Sequence, residues 1–128
     1  MTSVPEEFKP YLVPIFQRKA VSVTAVNVKD LTSYTDMILI VEAGSGRQVT
    51  TMAEHIIKAL KAENLSVLGA EGVKEGEWAL LDYGSIIIHV FETRAMAFYD
   101  LEGLWSDAPR FDLTPFESRR AGEDTHEP

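Results

Sequence analysis

The continuous apolar run "MILIVEA" at residues 37–43 restricts the fold of this chain more than any other feature. Such a run, without strict alternation of apolar and polar side chains, is typical of a central strand that is covered on both faces. "GSGRQ" at 44–48 follows it directly, and Ser45 is well suited to cap a helix there. The residues that come next place one apolar stripe at helical spacing: Val49, Met52, Ala53, Ile56 and Leu60. A buried strand followed at once by an amphipathic helix indicates an α/β domain.

The remaining segments predict a mixed sheet of about five strands with helices packed on it. The β-branched, alternating residues 20–28 form a first strand, and 65–69 form a short one. The step from 37–43 to 65–69 requires a right-handed crossover between parallel strands. Residues 78–91 read as an antiparallel hairpin of two apolar strands joined by Asp-Tyr-Gly-Ser. A last helix is expected over 93–105, with Phe98, Leu101 and Trp105 on one side.

The length of 128 residues indicates one domain, which we assign to residues 20–108. Residues 1–19 form a separate N-terminal segment in which Pro10 and Pro14 limit any helix to short pieces. Residues 109–128 are rich in proline and charge, so we expect a disordered C-terminal tail.

Composition excludes several classes of protein. No apolar run approaches the roughly 20 residues that span a bilayer. The N-terminal "MTSVPEEFKP" has acids where a signal peptide carries basic residues, so the sequence predicts a cytoplasmic protein. The absence of cysteine rules out disulfides, thiolate zinc sites and cysteine nucleophiles, and it fits a reducing cytosol.

Negative charge is concentrated in one part of the chain. The formal net charge is −8. Residues 71–107 carry eight acidic and two basic side chains, whereas the charges of residues 1–70 cancel. This distribution disfavours binding to phosphate backbones and favours a basic partner. Charge alone is equally compatible with an acidic surface that only keeps the protein soluble.

The turn at Gly44 to Arg47 lies between a strand and a helix, where it could cradle a phosphate. A nucleotidyltransferase would add a pair of carboxylates a few residues later to hold Mg²⁺. Here Glu54 is the one acid among the following residues, 48–55. The third glycine of a dinucleotide-binding fingerprint is also missing. The sequence therefore favours helix capping, with no cofactor.

Asp82, Ser85 and His89 contain the residue types of a catalytic triad. Ser85 and His89 lie four residues apart on one strand, about 13 Å, which is too far for a nucleophile and its base. A hydrogen-bonded histidine within the sheet is the better interpretation. His55 and His126 lie elsewhere in the chain, so the sequence contains no metal-ligand cluster and predicts no metal site.

Two aromatic residues of the hairpin allow two interpretations. Trp78 begins a strand directly after the acidic loop, and Tyr83 lies in the turn, where exposure is expected. Large aromatic residues are most often core residues, but tyrosine and tryptophan are also enriched as interface anchors. The residues themselves leave core and interface equally open.

The chain resembles the ribosomal silencing factor family, also called Iojap-like proteins, from about residue 20 to 113. The resemblance rests on five motifs in this order: "TSYTD" at 32–36, "GSGR" at 44–47, "EG" at 71–72, "WALLDYGSIIIHVF" at 78–91 and "FYDLEGLWSDAP" at 98–109. It departs from the family pattern at three positions, where the chain has Asn27, Ser85 and Met96. These departures concern the partner contact rather than the fold.

The resemblance implies a nucleotidyltransferase-like α/β fold that lacks the catalytic carboxylates, and a protein that is not an enzyme. It further implies binding to the large ribosomal subunit through a basic protein of the inter-subunit face, large-subunit protein fourteen. The bound factor would block joining of the small subunit and so lower translation when nutrients are scarce. Relatives in plant organelles and mitochondria act in ribosome assembly.

Taken with the resemblance, the acidic excess and the nearby aromatic residues suit a docking face for a basic protein. The residues expected to contact the partner are Glu71, Glu75, Trp78, Asp82, Tyr83 and Tyr99. No binding to DNA or membranes is expected, and an exposed sheet edge or apolar face could pair two copies off the ribosome. The alternatives are a nucleotide-binding or nucleotidyltransferase-type enzyme and an acidic adaptor with another basic partner.

Overall fold

A computed structural model describes residues 2–117 of the chain. In chain order the elements are β1 (Thr2–Ser3), a 3₁₀ turn (Glu6–Phe8), α1 (Lys9–Phe16), β2 (Ser22–Asn27), β3 (Met37–Ala43), α2 (Gly46–Ala62), β4 (Gly69–Glu71), β5 (Trp78–Asp82), β6 (Ile86–Glu92), α3 (Thr93–Tyr99), α4 (Leu101–Leu104) and β7 (Phe111–Asp112). Within the described residues, none of the helices is long and apolar enough to cross a membrane.

Five strands form the main sheet in the order β2-β3-β6-β5-β4. β3 and β6 are parallel and the other neighbours are antiparallel, so the predicted mixed sheet is confirmed. β4 runs parallel to β3, as predicted for the two strands that α2 connects, but it is not the neighbour of β3, because β6 pairs with all seven residues of β3. The strand expected at 65–69 begins at Gly69 instead and pairs antiparallel with β5 at the edge. The longer, more apolar β6 gives β3 a more complete buried partner than a three-residue strand can.

One face of the sheet packs against α1 and α2. The apolar stripe of α2 is buried as its spacing predicts, with Val49, Met52, Ala53, Ile56 and Leu60 all inside. Leu12, Ile15 and Phe16 of α1 join the same core. The N-terminal segment is therefore part of the domain rather than separate from it.

The other face is partly covered by α3 and α4, which pack on Ile38, Ile40 and Phe91. The single helix expected over 93–105 is wrong: the chain breaks at Asp100, whose φ of 48° is left-handed. The Asp100 carboxylate then caps α4 by accepting from the N–H of Gly103. This break separates side chains that were expected on one side of a single helix: Phe98 is 80% exposed, whereas Leu101 and Trp105 are partly buried.

The C-terminal segment was expected to be disordered from residue 109, and this is wrong for residues 109–117. The Pro109 carbonyl accepts a hydrogen bond from the N–H of Asn27 at 2.8 Å, and β7 pairs with β1. Three apolar side chains of the segment are buried at the sheet edge: Phe111, Leu113 and Phe116. The free energy gained by burying these three side chains is sufficient to order the segment, although the residues around them are mostly polar. The remainder of the predicted tail, 118–128 with His126, lies outside the described residues.

Candidate functional site

The glycine turn before α2 is a helix cap. The Ser45 hydroxyl accepts a hydrogen bond from the N–H of Gln48 at 3.2 Å, which confirms the predicted capping role. The backbone of Gly76 lies directly against Gly46, since a β-carbon at Gly76 would be 2.7 Å from the Gly46 carbonyl oxygen. Gly76 also has a φ of 75°, which favours glycine. The loop of residues 72–77 therefore occupies the space beside the first residue of the helix.

A different part of the molecule leaves apolar and acidic side chains uncovered. Directly paired residues of antiparallel strands share a face, and the register puts Trp78 with Phe91, Leu80 with His89 and Asp82 with Ile87. These side chains lie on the face of the sheet that packs against α3 and α4. The two helices cover β2, β3 and part of β6 on this face and leave the rest of it open. We call the uncovered part the sheet patch, which comprises Glu71, Trp78, Leu80, Asp82, Ile87, His89 and, leaning in from α3, Tyr99.

Aromatic rings form the centre of the sheet patch. The Trp78 ring contacts the Phe91 ring, at 4.8 Å between centroids, and the Tyr99 ring, at 4.6 Å, and the Phe91 and Tyr99 rings are 6.2 Å apart, so the three rings form one cluster. Phe91 is fully buried, Trp78 is partly buried, and Tyr99 remains 45% exposed. Phe98 packs edge-on against Tyr99 and extends the apolar surface onto α3. Packing from below holds the exposed rings in fixed positions.

His89 lies at the base of the sheet patch and is only 7% exposed. Its Nδ1 accepts a hydrogen bond from Trp78 Nε1–H at 3.0 Å, which confirms the predicted hydrogen-bonded histidine. Burial lowers the pKa of His89 from 6.5 to about 4, so the ring is neutral at pH 7. Asp82 accepts instead from the N–H of Gly84 at 2.8 Å, and Ser85 is exposed in the turn. The three residues of the candidate triad thus have separate environments.

Acidic side chains surround the sheet patch with few ion-pair partners. Within residues 2–117, Glu102 is the one acid of the 71–107 segment with a cation within 4 Å, and that partner is Arg110 at 3.5 Å. Glu71 on the edge strand and Glu75 in the adjoining loop are both exposed. No group of three histidine or carboxylate side chains in this part of the chain could hold a metal ion.

The structure brings together four of the six residues expected to contact a partner: Glu71, Trp78, Asp82 and Tyr99. Glu75 lies on the loop before β5 rather than on the sheet. The expected exposure of Tyr83 is wrong, because this side chain is 8% exposed and packs on the Tyr11 ring at 5.3 Å on the opposite face. Alternation accounts for this, since Tyr83 directly follows Asp82 and so points the other way.

Burial also affects the Tyr83 hydroxyl. The hydroxyl is enclosed and has no hydrogen-bond partner among the described residues. Burial, followed by the neighbouring Tyr11, raises the pKa of Tyr83 to about 12. These are the properties of a core tyrosine.

Sequence reasoning missed Leu80, Ile87 and Phe98 as residues of the exposed surface. The first two could have been found by counting alternate positions from Trp78 and from His89. Phe98 had no such signal, because its direction depends on the break at Asp100. Of the three departures from the family pattern, Asn27 accepts a hydrogen bond from the N–H of Lys29, Ser85 lies in the hairpin turn, and Met96 is the residue of α3 that packs against the apolar cluster beneath this helix.

A family model described as "Ribosomal silencing factor during starvation" matches residues 2–128. The chain belongs to this family. The Halalkalibacterium halodurans protein named ribosomal silencing factor RsfS is 34% identical over 96 residues, which cover 75% of this chain and 82% of that relative. The Bacillus subtilis protein of the same name is 32% identical over 96 residues, covering 75% and 81%.

The fold of the family is seen in solved structures. A crystal structure of a Bacillus halodurans protein aligns with a TM-score of 0.74 and 30% identity, over 84% of this chain and 98% of that chain. The resemblance drawn from the five motifs is therefore confirmed, together with the α/β fold. The relatives are named as regulatory silencing factors of the ribosome and not as enzymes.

Proposed function

We propose that this protein acts in the cytoplasm by binding the large ribosomal subunit through the sheet patch. The partner is a basic protein of the inter-subunit face, which the family resemblance implies is large-subunit protein fourteen. The bound factor sterically excludes the small subunit and so represses translation. No chemical step is involved in this mechanism.

The observation that carries the proposal is the aromatic centre of the sheet patch. The Tyr99 ring packs against the Trp78 ring at 4.6 Å between centroids with its plane tilted by 46°, and the fully buried Phe91 stacks on the indole. Rigid, half-exposed aromatic rings bind a partner with little loss of side-chain entropy, and tryptophan and tyrosine are frequent hot-spot residues. Leu80 and Ile87 add apolar area beside them.

The charge around the sheet patch supports a basic partner. Residues 71–107 hold the acidic excess of the described chain, and Glu71 and Asp82 lie on the sheet patch itself. Because Glu71 and Asp82 have no ion-pair partner among residues 2–117, a partner's lysine and arginine side chains can approach them directly. Acids at the rim raise the association rate more than the final affinity.

The proposal is tested by sucrose-gradient profiles of purified ribosomal subunits with and without the protein. We expect the protein to co-sediment with the large subunit alone and to reduce the fraction of joined ribosomes. A Trp78→Ala variant whose circular dichroism shows an intact fold should do neither. Joined ribosomes in undiminished amount at saturating protein would contradict the anti-association mechanism.

The same surface can also pair two copies of the chain when no ribosome is present. The exposed apolar side chains of the sheet patch and Phe98 would then be shared between the two copies. Analytical ultracentrifugation of the wild type and of Phe98→Ala tests this. A monomer at all concentrations would exclude the dimer without affecting the ribosome proposal.

A further inference from the structure

The tautomer of His89 follows from its one hydrogen bond. An indole N–H can only donate, so Nδ1 of His89 must accept the 3.0 Å bond from Trp78 without carrying a proton. The ring is neutral at pH 7 because burial disfavours the charged form. A neutral imidazole with an unprotonated Nδ1 carries its proton on Nε2. His89 therefore has one N–H group, at the end of the ring farthest from the backbone.

That N–H group has no hydrogen-bond acceptor among residues 2–117. Within residues 2–117, the polar side-chain atoms that are both enclosed and without a partner are the Tyr83 hydroxyl and Trp105 Nε1. His89 Nε2 is not among them, and no acceptor within the described residues bonds to it. It therefore keeps contact with solvent. Its access is from the sheet patch, because the strands and the rings of Trp78 and Phe91 close the other sides.

We propose that His89 is a specificity-determining residue of the sheet patch, whose Nε2–H donates a hydrogen bond to an oxygen of the docked partner. The acceptor is a neutral oxygen, a backbone carbonyl or a hydroxyl, of the basic ribosomal protein. Trp78 fixes the tautomer, and His89 in turn fixes the plane of the indole. The inference rests on the proposed docking of the sheet patch on the large subunit.

This arrangement selects among partners that share a basic surface. Many basic proteins could satisfy the acids and cover the aromatic rings. The His89 N–H lies among apolar side chains, so a docked partner that offers no acceptor at this one position would leave the N–H buried and unpaired. An unpaired, buried N–H costs free energy. His89 thus adds a geometric requirement to the electrostatic one.

The test separates the two nitrogens of the ring. His89→Asn keeps an acceptor at about the position of Nδ1 but removes the distal N–H, whereas His89→Leu removes both. Binding to purified large subunits is measured by co-sedimentation. The fluorescence emission of Trp78 is measured in proteins that all carry Trp105→Phe, so that Trp78 is the one tryptophan present. We expect His89→Asn to keep the Trp78 emission and to bind about ten-fold more weakly, equivalent to about 1.4 kcal/mol. His89→Leu should change both.

His55→Asn is the matched control, because His55 lies on α2 and bonds to Gln17 on the other side of the sheet. Its binding should equal that of the wild type. Binding of His89→Asn within three-fold of the wild type, with unchanged emission, would overturn the inference. Failure of the wild type to bind large subunits would instead contradict the proposed function.

A second comparison covers the case in which asparagine disturbs Trp78. In a Trp78→Phe background no indole N–H needs an acceptor, so His89→Gln and His89→Asn differ in the extra methylene and in whether an amide N–H reaches the distal position. The glutamine variant, which has an amide N–H at the distal position, should bind more tightly. Equal binding of the two variants would overturn the inference.

Discussion

At the scale of single residues, Tyr99 is the clearest test of the sheet patch because its removal disturbs little else. The ring is 45% exposed and contacts Trp78 and Phe98 at the surface. We expect Tyr99→Ala to weaken large-subunit binding by about 2 kcal/mol, roughly 30-fold, as expected for a hot spot. Tyr34→Ala is the control, since Tyr34 is similarly exposed but lies in the β2–β3 loop. Equal affinities of the two variants would remove Tyr99 from the interface.

His89 makes the stability of the protein depend on pH. Its pKa is about 4 in the folded protein and 6.5 in the unfolded chain, so the unfolded state binds the proton first as pH falls. The stabilisation is complete above pH 6.5 and is lost between pH 6.5 and 4, a change of about 3 kcal/mol in the free energy of unfolding. Urea unfolding at several pH values should show this fall for the wild type. His89→Asn should show a clearly flatter dependence, and parallel curves would contradict the assignment.

Tyr83 was expected at the interface and belongs to the core instead. Its hydroxyl is enclosed without a partner, so Tyr83→Phe removes an unsatisfied polar group. We expect the free energy of unfolding at pH 7 to stay the same or rise by up to about 1 kcal/mol. Large-subunit binding should not change, because the side chain lies on the opposite face. A clear loss of stability would mean that the hydroxyl has a partner in solution.

At the scale of elements, residues 109–117 pack against the edge of the sheet and against α1. Phe116 is buried and stacks on Phe16 of α1 at 5.8 Å, so α1 and residues 109–117 share one core. We expect Phe116→Ala to lower the free energy of unfolding by about 3 kcal/mol. Phe98→Ala makes the same chemical change at an 80% exposed position and should stay within about 0.5 kcal/mol of the wild type. Similar urea midpoints for both variants would show that residues 109–117 do not pack.

At the scale of the whole molecule, the acidic excess belongs to residues 71–107, and two of these acids, Glu71 and Asp82, lie on the sheet patch. Glu71→Lys on the sheet patch and Glu63→Lys at the end of α2 change the net charge equally, and both side chains are exposed. Screening limits each charge to about 8 Å at physiological salt, so only Glu71 should influence a partner at the sheet patch. Stopped-flow association with large subunits should be slowed about ten-fold by Glu71→Lys and little by Glu63→Lys. Equal rates would indicate that net charge, not its position, controls association.

The sequence by itself determined the elements whose signals are local. The run at 37–43 and the stripe of α2 depend on side-chain periodicity, and Ser45 depends on contacts within one turn, so all three were correctly predicted. The mixed sheet and the family followed from the order of such segments. Trp78, Asp82 and Glu71 were predicted as contact residues because acids and aromatic residues cluster in the sequence, and the strand register places all three on one face.

Only the tertiary structure decided which strand pairs with β3, where the last helix breaks, and that residues 109–117 pack. Each of these depends on contacts between residues distant in sequence: β6 with β3, Asp100 at the junction of two short helices, and Phe116 with Phe16. The same reason explains the sheet patch. Its extent is set by how much of the sheet α3 and α4 leave uncovered, and its histidine is oriented by a tryptophan on the neighbouring strand. Periodicity assigns a side chain to a face, but what covers that face is decided by the packing of the whole chain.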